Sequence, residues 1–232
     1  DPVFKGQKRE LVAQDYVYAI KRFFDPANKA PYAGSMEELG YVGLKELRKK
    51  TLAERIPFNY DQEVPGLRAL DRYTIRFELE KPRPCFVEDL TGSDLLGAVA
   101  REVVEAYGEN IPAHPVGTGP FVLKQWRRSS FIALERNPGY RERYFDGEPA
   151  AGDAEGQALL ARFKGKRLPM IDRVEISIVE ENQPRFLSFL NRQHDFLERV
   201  PEEFISQVLP AGKVAPNLAK QGIQAQRIVG PE

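Results

Sequence analysis

The sequence predicts a mixed α/β fold built of α and β layers (α+β in composition), and three observations carry that prediction. Val12, Tyr16, Ala19, Ile20 and Phe23 recur at helical spacing, whereas Tyr73, Ile75, Phe77 and Leu79 alternate with Thr74, Arg76 and Glu78 at strand spacing. Segments of both kinds then succeed one another to the end of the chain, which is the pattern of mixed layers.

Taken in order, the first helix is expected over about 13–24, where Asp25-Pro26 stops the periodic run. Residues 28–34 form a Pro-bearing loop. Ser35-Met36-Glu37-Glu38 has the S-x-x-E spacing of a reciprocal helix start, so a second helix is expected from there to about Arg55. Its Lys45 to Lys50 run reads as a solvated helix face. Leu67-Arg68-Ala69-Leu70 and the 73–79 strand flank a turn at Asp71-Arg72 and are expected to pair as an antiparallel hairpin. A short helix over about 99–107 ends at Gly108, which accepts a left-handed cap cheaply. Strands follow at 121–126 and 131–135, and another where Val174, Ile176 and Ile178 alternate with Glu175 and Ser177. Helices begin near Pro184 and Pro201, Ile223 to Gln226 reads as a last strand, and Asp146 to Gly152 reads as an insertion loop.

Composition removes several classes of function. The 232 residues carry 34 Lys+Arg against 34 Asp+Glu, which argues against nucleic acid as a partner, and 42% hydrophobic residues exclude intrinsic disorder. No uncharged apolar run approaches the roughly 20 residues of a membrane helix. The single Cys85 has no second thiol and no nearby His, and reads as a small buried hydrophobe. His114 and His194 lack any spaced ligand pattern, so no metal site is expected; both read as loop or turn residues. No G-x-S-x-G elbow supplies a hydrolase nucleophile. Gly117-Thr118-Gly119 lacks both the third glycine and the following helix of a phosphate cradle, and reads as a tight turn with positive φ at its glycines. No cofactor and no catalysis are expected.

Two stretches, Pro115-Val116-Gly117-Thr118-Gly119-Pro120-Phe121-Val122-Leu123-Lys124-Gln125-Trp126 and Ile132-Ala133-Leu134-Glu135-Arg136-Asn137-Pro138-Gly139-Tyr140, resemble the family 5 extracellular solute-binding proteins of ABC importers, the oligopeptide- and dipeptide-binding type. Phe4-Lys5-Gly6, Ala13 to Tyr18 and Asp25-Pro26 agree with the same family. The resemblance implies a periplasmic-binding-protein-like type II fold, here partial. Residues 1–98 would form a small lobe-like α/β subdomain, and residues 99–232 part of the first ligand-binding lobe with an insertion loop at about 141–168. It implies a fragment lacking the start of the first lobe and all of the second, with any secretion signal removed or outside this sequence. One departure is local: the family commonly has Thr where Val12 stands, and loss of that cap costs about 1 kcal/mol unless another group replaces it.

By the same resemblance, the chain is expected to be part of a non-enzymatic, monomeric periplasmic receptor that captures a peptide and delivers it to the membrane subunits of an ABC permease. The loop Asp25-Pro26-Ala27-Asn28-Lys29-Ala30-Pro31-Tyr32-Ala33 looks like the peptide binders' loop whose tyrosine faces the ligand, which makes Tyr32 the first candidate; the alternative is a Pro-packed surface aromatic. Thr91, Gly92, Ser93 and Asp94 align with another ligand-facing loop, against the alternative of an ordinary loop. Two other functions remain open at this point: a ligand-sensing regulatory domain of the same fold, and a binding protein for another solute such as a metal chelate, sugar or haem.

Overall fold

The computed structural model of the chain describes residues 1–92 and 96–225. The chain divides into two compact units, Asp1–Trp126 with Ala133–Val174, and Arg127–Ile132 with Glu175 onward.

In the first unit, helix α1 (Ala13–Phe24) has the expected bounds, but its buried face is centred on Val17, Ile20 and Phe24; of the periodic residues Ala19 and Ile20 are buried, while Val12, Tyr16 and Phe23 are half-buried at its flanks. Val12 at its N-cap has no side-chain acceptor to offer, and two other groups take over. The Val12 N–H donates to Asp15 Oδ2 at 2.8 Å, and the Ala13 N–H donates to the Arg72 carbonyl at 2.9 Å. Arg9 holds that Asp15 with two guanidinium bonds of 2.6 and 2.7 Å, so the missing threonine is replaced by a carboxylate already fixed in place.

The single helix expected from Ser35 to Arg55 is two, α2 (Ala33–Glu38) and α3 (Leu44–Glu54). Gly40 and Gly43, at φ 73° and 86°, break the run between them, and Ser35 sits inside α2 rather than capping it. The break lets Tyr41–Val42 run beside a hairpin. Strands β1 (Leu67–Ala69) and β2 (Ile75–Phe77) pair antiparallel in the register Leu67 with Phe77 and Ala69 with Ile75, and Tyr41 bridges to Leu79. Val42 donates to the Glu78 carbonyl at 3.1 Å and accepts from the Gly66 N–H at 2.8 Å. Any Cβ on Gly66 would lie 2.7 Å from the Tyr41 carbonyl carbon and closer still to Val42, so only glycine allows this approach. The core that results joins Val17, Ile20, Phe24, Met36, Tyr41, Leu44, Leu47 and Leu67. Within the Lys45 to Lys50 run Lys45, Glu46, Lys49 and Lys50 are solvent-exposed, as expected, whereas Leu47 enters the core and the half-buried Arg48 pairs with Glu37 at 3.0 Å.

The expected strand at 73–79 is shorter than its alternation, since Tyr73 is an exposed turn residue whose hydroxyl donates to Glu10. Helix α4 (Phe86–Asp89) follows a proline-rich surface turn, and Cys85 is exposed there, not buried: the chain turns inward only at Phe86. Helix α5 (Arg101–Tyr107) ends at Gly108, which has positive φ (53°) with ψ −123° rather than a left-handed cap. His114 stacks flat on Tyr107, with ring centroids 3.6 Å apart.

Strands β3 (Phe121–Arg127), β4 (Phe131–Arg136) and β7 (Arg173–Ser177) form one sheet in the order β3-β4-β7. The turn before β3 is held by Asn137, whose side chain donates to the Gly119 carbonyl at 3.0 Å and whose N–H donates to the Pro120 carbonyl at 2.8 Å. That bond links the two motif segments singled out in the sequence. Gly117 and Gly119 do not adopt positive φ, and an added Cβ at either meets nothing within 4 Å, so the expected turn conformation is not the one formed. Between β4 and β7 the 141–168 stretch carries structure of its own: a two-residue pair of strands, β5 (Arg143–Tyr144) and β6 (Arg167–Leu168), flanks helix α6 (Ala154–Phe163). Asp153 caps α6 through a 2.9 Å bond from the Gly156 N–H.

The second unit has its own smaller core. Helices α7 (Asn182–Leu190), α8 (Glu202–Val208) and α9 (Pro216–Ala219) meet at Phe186, Val208, Ala215 and Leu218, with Phe186 and Phe204 stacked at 4.4 Å. Pro201 is the N-cap of α8, and Glu202 and Glu203 lie in its first turn, where carboxylates complement the helix dipole. Pro184 falls in the first turn of α7. Ile176 and Ile178 are 43% and 38% exposed, so alternation located β7 without predicting burial. Residues 223–225 form no strand, and Gln226 lies outside the described residues.

Candidate ligand-binding site

Of the sequence candidates, Tyr32, Thr91 and Gly92 are described residues of the first unit. Asp25 ends α1 and its carboxylate organises the loop that follows: Oδ1 accepts from the Ala27 N–H at 2.9 Å, and Oδ2 accepts from the Tyr60 hydroxyl at 2.6 Å. Asn28 donates from Nδ2 to the Arg22 carbonyl at 2.9 Å and to the Tyr60 hydroxyl at 3.1 Å. Lys29 then takes a left-handed conformation, φ 48°, which turns the chain towards Tyr32. Tyr32 is the N-cap residue of α2 and is 54% exposed; its carbonyl accepts from the Met36 N–H at 3.0 Å, and Met36 is buried in the core. The loop is thus pinned at both ends, with an exposed aromatic side chain at its second end.

Tyr60 is itself held from three sides. Lys21, only 3% exposed, donates from Nζ to the Tyr60 and Gln62 carbonyls at 2.8 Å each. Burial pushes the Lys21 ammonium below its ordinary pKa, with Asp61 and Glu63 opposing. The Tyr60 ring lies against Tyr18 and Phe58, with centroids 4.9 and 5.1 Å away, and Arg101 places its guanidinium over both tyrosines at 5.5 and 6.0 Å while pairing with Asp61 and Glu105. Burial, and then the bond to Asp25, raise the Tyr60 phenol well above its usual range, so it stays a donor throughout neutral pH.

Thr91 follows α4, and its hydroxyl donates to the Glu88 carbonyl at 2.7 Å; Gly92 follows it, and Ser93 and Asp94 lie outside the described residues. Tyr32 and Thr91 hang on one core, through Met36 on one side and Leu90 on the other. Arg83 adds a tie between the two helices, donating to the Glu38 carbonyl at 3.2 Å and pairing with Asp89 at 3.3 Å. A cavity of about 210 Å³ lies on another side of the loop, between Asp25, Pro26 and Ala27 and the end of α3 at Leu52, Arg55 and Ile56; Tyr32, Thr91 and Gly92 do not line it. The sequence reading placed Asp25 and Asn28 in the candidate loop without giving either a role, and it missed Tyr60, because nothing local to Tyr60 indicates a partner 35 residues away.

Among the described residues no cluster of three or more His, Cys, Asp or Glu side chains could hold a metal ion, and no helix is long and apolar enough to cross a membrane. The sequence pattern of the bacterial extracellular solute-binding proteins, family 5 (middle), matches residues 7–228. The chain belongs to that family. Its relatives include the periplasmic oligopeptide-binding protein OppA of Escherichia coli, 30% identical over 134 residues, 56% of this chain and 23% of that protein. The di/tripeptide-binding protein 2 of Pseudomonas aeruginosa is 27% identical over 146 residues, 61% of this chain and 24% of its own length. Among solved structures, Haemophilus influenzae OppA in complex with RPPGFSPFR superposes with a TM-score of 0.62 at 22% identity, over 86% of this chain and 33% of that one. The Escherichia coli murein tripeptide binding protein MppA gives 0.60 at 21%, over 87% and 33%. These structures share the mixed α+β, periplasmic-binding-protein-like type II architecture. The family 5 chain described here spans about a quarter of the curated relatives' length and about a third of the solved chains'.

Proposed function

We propose that this chain is part of the substrate-binding component of an ABC importer, a non-enzymatic periplasmic receptor that captures peptides and delivers them to the membrane permease. The observation that carries the reading is the family 5 match over residues 7–228, together with relatives named for oligopeptides and for di- and tripeptides. The exposed Tyr32 on its pinned loop supports it from the structural side, since a rigid aromatic gives contact area to an extended peptide at small entropic cost. Thr91 and Gly92, on the same core, are the second proposed contact, and Ser93 and Asp94 complete that proposed segment.

The test is calorimetric titration of the full-length protein with di-, tri- and longer peptides. Micromolar or tighter binding is expected, and Tyr32→Ala should weaken it by about 5- to 150-fold, the equivalent of about 1–3 kcal/mol for one buried aromatic contact. Binding of haem or a metal chelate with no response to peptides would overturn the reading.

A further inference from the structure

Tyr32 makes no side-chain hydrogen bond among those described, so its place is set by the backbone of the loop that carries it. That loop has no strand partner between Pro26 and Ala33. What shapes it is a chain of polar contacts ending in one hydroxyl: the Tyr60 O–H donates to Asp25, accepts from Asn28, and so ties the start of the loop to a segment 35 residues further on. Without it the second Asp25 oxygen would lose its only protein partner among the described residues, and the carboxylate that turns the chain at Ala27 would be held from one side instead of two. The hydroxyl in turn is fixed by Lys21 on its own backbone carbonyl and by the aromatic and guanidinium contacts of its ring.

We propose that Tyr60 is a positioning residue for ligand binding: through Asp25 and Asn28 it holds the 25–32 loop so that Tyr32 is presented in its binding orientation before ligand arrives. The inference rests on the peptide-binding reading above. Preorganisation of this kind reduces the conformational freedom lost on binding, so its removal weakens affinity without deleting any contact to the ligand. Tyr60→Phe is the discriminating change, since it keeps the ring on Tyr18 and Phe58 and removes only the hydroxyl.

The experiment uses the full-length protein and a peptide that the wild type binds; if no peptide binds, the functional reading fails and the inference with it. Given a binding peptide, Tyr60→Phe should raise Kd by about 2- to 12-fold, the net worth of one hydrogen bond, and Asn28→Ala on the exposed side of the network should act in the same direction. In a Tyr32→Ala background neither change should cause further loss, because there is no longer an aromatic to place. Unchanged affinity in Tyr60→Phe would overturn the proposal, even if its melting temperature falls. Losses that multiply in the double variant would also overturn it, since Tyr60 would then act independently of Tyr32.

Discussion

Tyr41 is 2% exposed, packed edge-on against Phe24 and Phe86 and tilted on Phe77, and its hydroxyl has no hydrogen-bond partner among the described residues. A buried unpaired hydroxyl is destabilising, so Tyr41→Phe should stabilise the protein by about 1 kcal/mol in denaturant unfolding. The same burial, with Asp89 adding and Arg83 opposing, pushes the phenol from the ordinary 10 up to about 12. A raised phenol favours the protonated folded form: the stability is intact below pH 10, where neither state is ionised. It is lost as pH rises towards 12, because the unfolded chain ionises first. That loss is on the order of 2–3 kcal/mol in the wild type. It should shrink by that amount in Tyr41→Phe; stability curves of equal alkaline slope would contradict the assignment. Tyr18 and Tyr60, also raised mainly by burial, keep part of the slope in both proteins.

Among the elements, the Tyr41–Val42 segment shows how a helix break builds a sheet edge. Gly40 and Gly43 turn the chain out of α2 and into α3, and Gly66 lets the segment settle onto β1 with backbone bonds on both sides of Val42. Gly66→Ala should therefore cost about 3 kcal/mol in equilibrium unfolding, because the new methyl meets backbone rather than a side chain that can swing away. A loss under about 0.5 kcal/mol would mean that the segment lies further from the hairpin. Helix α1 was legible in its bounds, set by the periodic run and its Asp25 stop, but not in which side chains it buries, since Val17 and Phe24 enter the core where Tyr16 and Phe23 were expected. The α2–α3 break was less so: the S-x-x-E spacing imitated a helix start, while the two glycines that end and restart the helix carried the decisive signal. Val12 shows the complementary case, where a missing cap is supplied by Asp15, Arg9 and the distant Arg72 carbonyl.

At the scale of the whole molecule the two units differ in how much apolar surface they enclose. The first closes around α1, α3 and the hairpin, whereas the second relies on Phe186, Val208, Ala215 and Leu218 with partly exposed neighbours. Local opening follows such differences, so amides of α1 should exchange with deuterium more slowly than those of α7 to α9 in native-state hydrogen exchange; equal protection would contradict this. The sequence by itself determined the mixed α/β class and the places of α1, the β1–β2 hairpin, β3, β4 and β7, because periodicity is a property of neighbouring residues, and its resemblance to family 5 carried the family. Tertiary structure alone decided that Cys85 is exposed, that Asn137 holds the Gly119-Pro120 turn, and that 141–168 folds around a helix. It also decided that Tyr60 reaches Asp25 across 35 residues. Those outcomes depend on which side chains meet after the chain has closed on itself, and local sequence holds no record of a partner that only folding brings near.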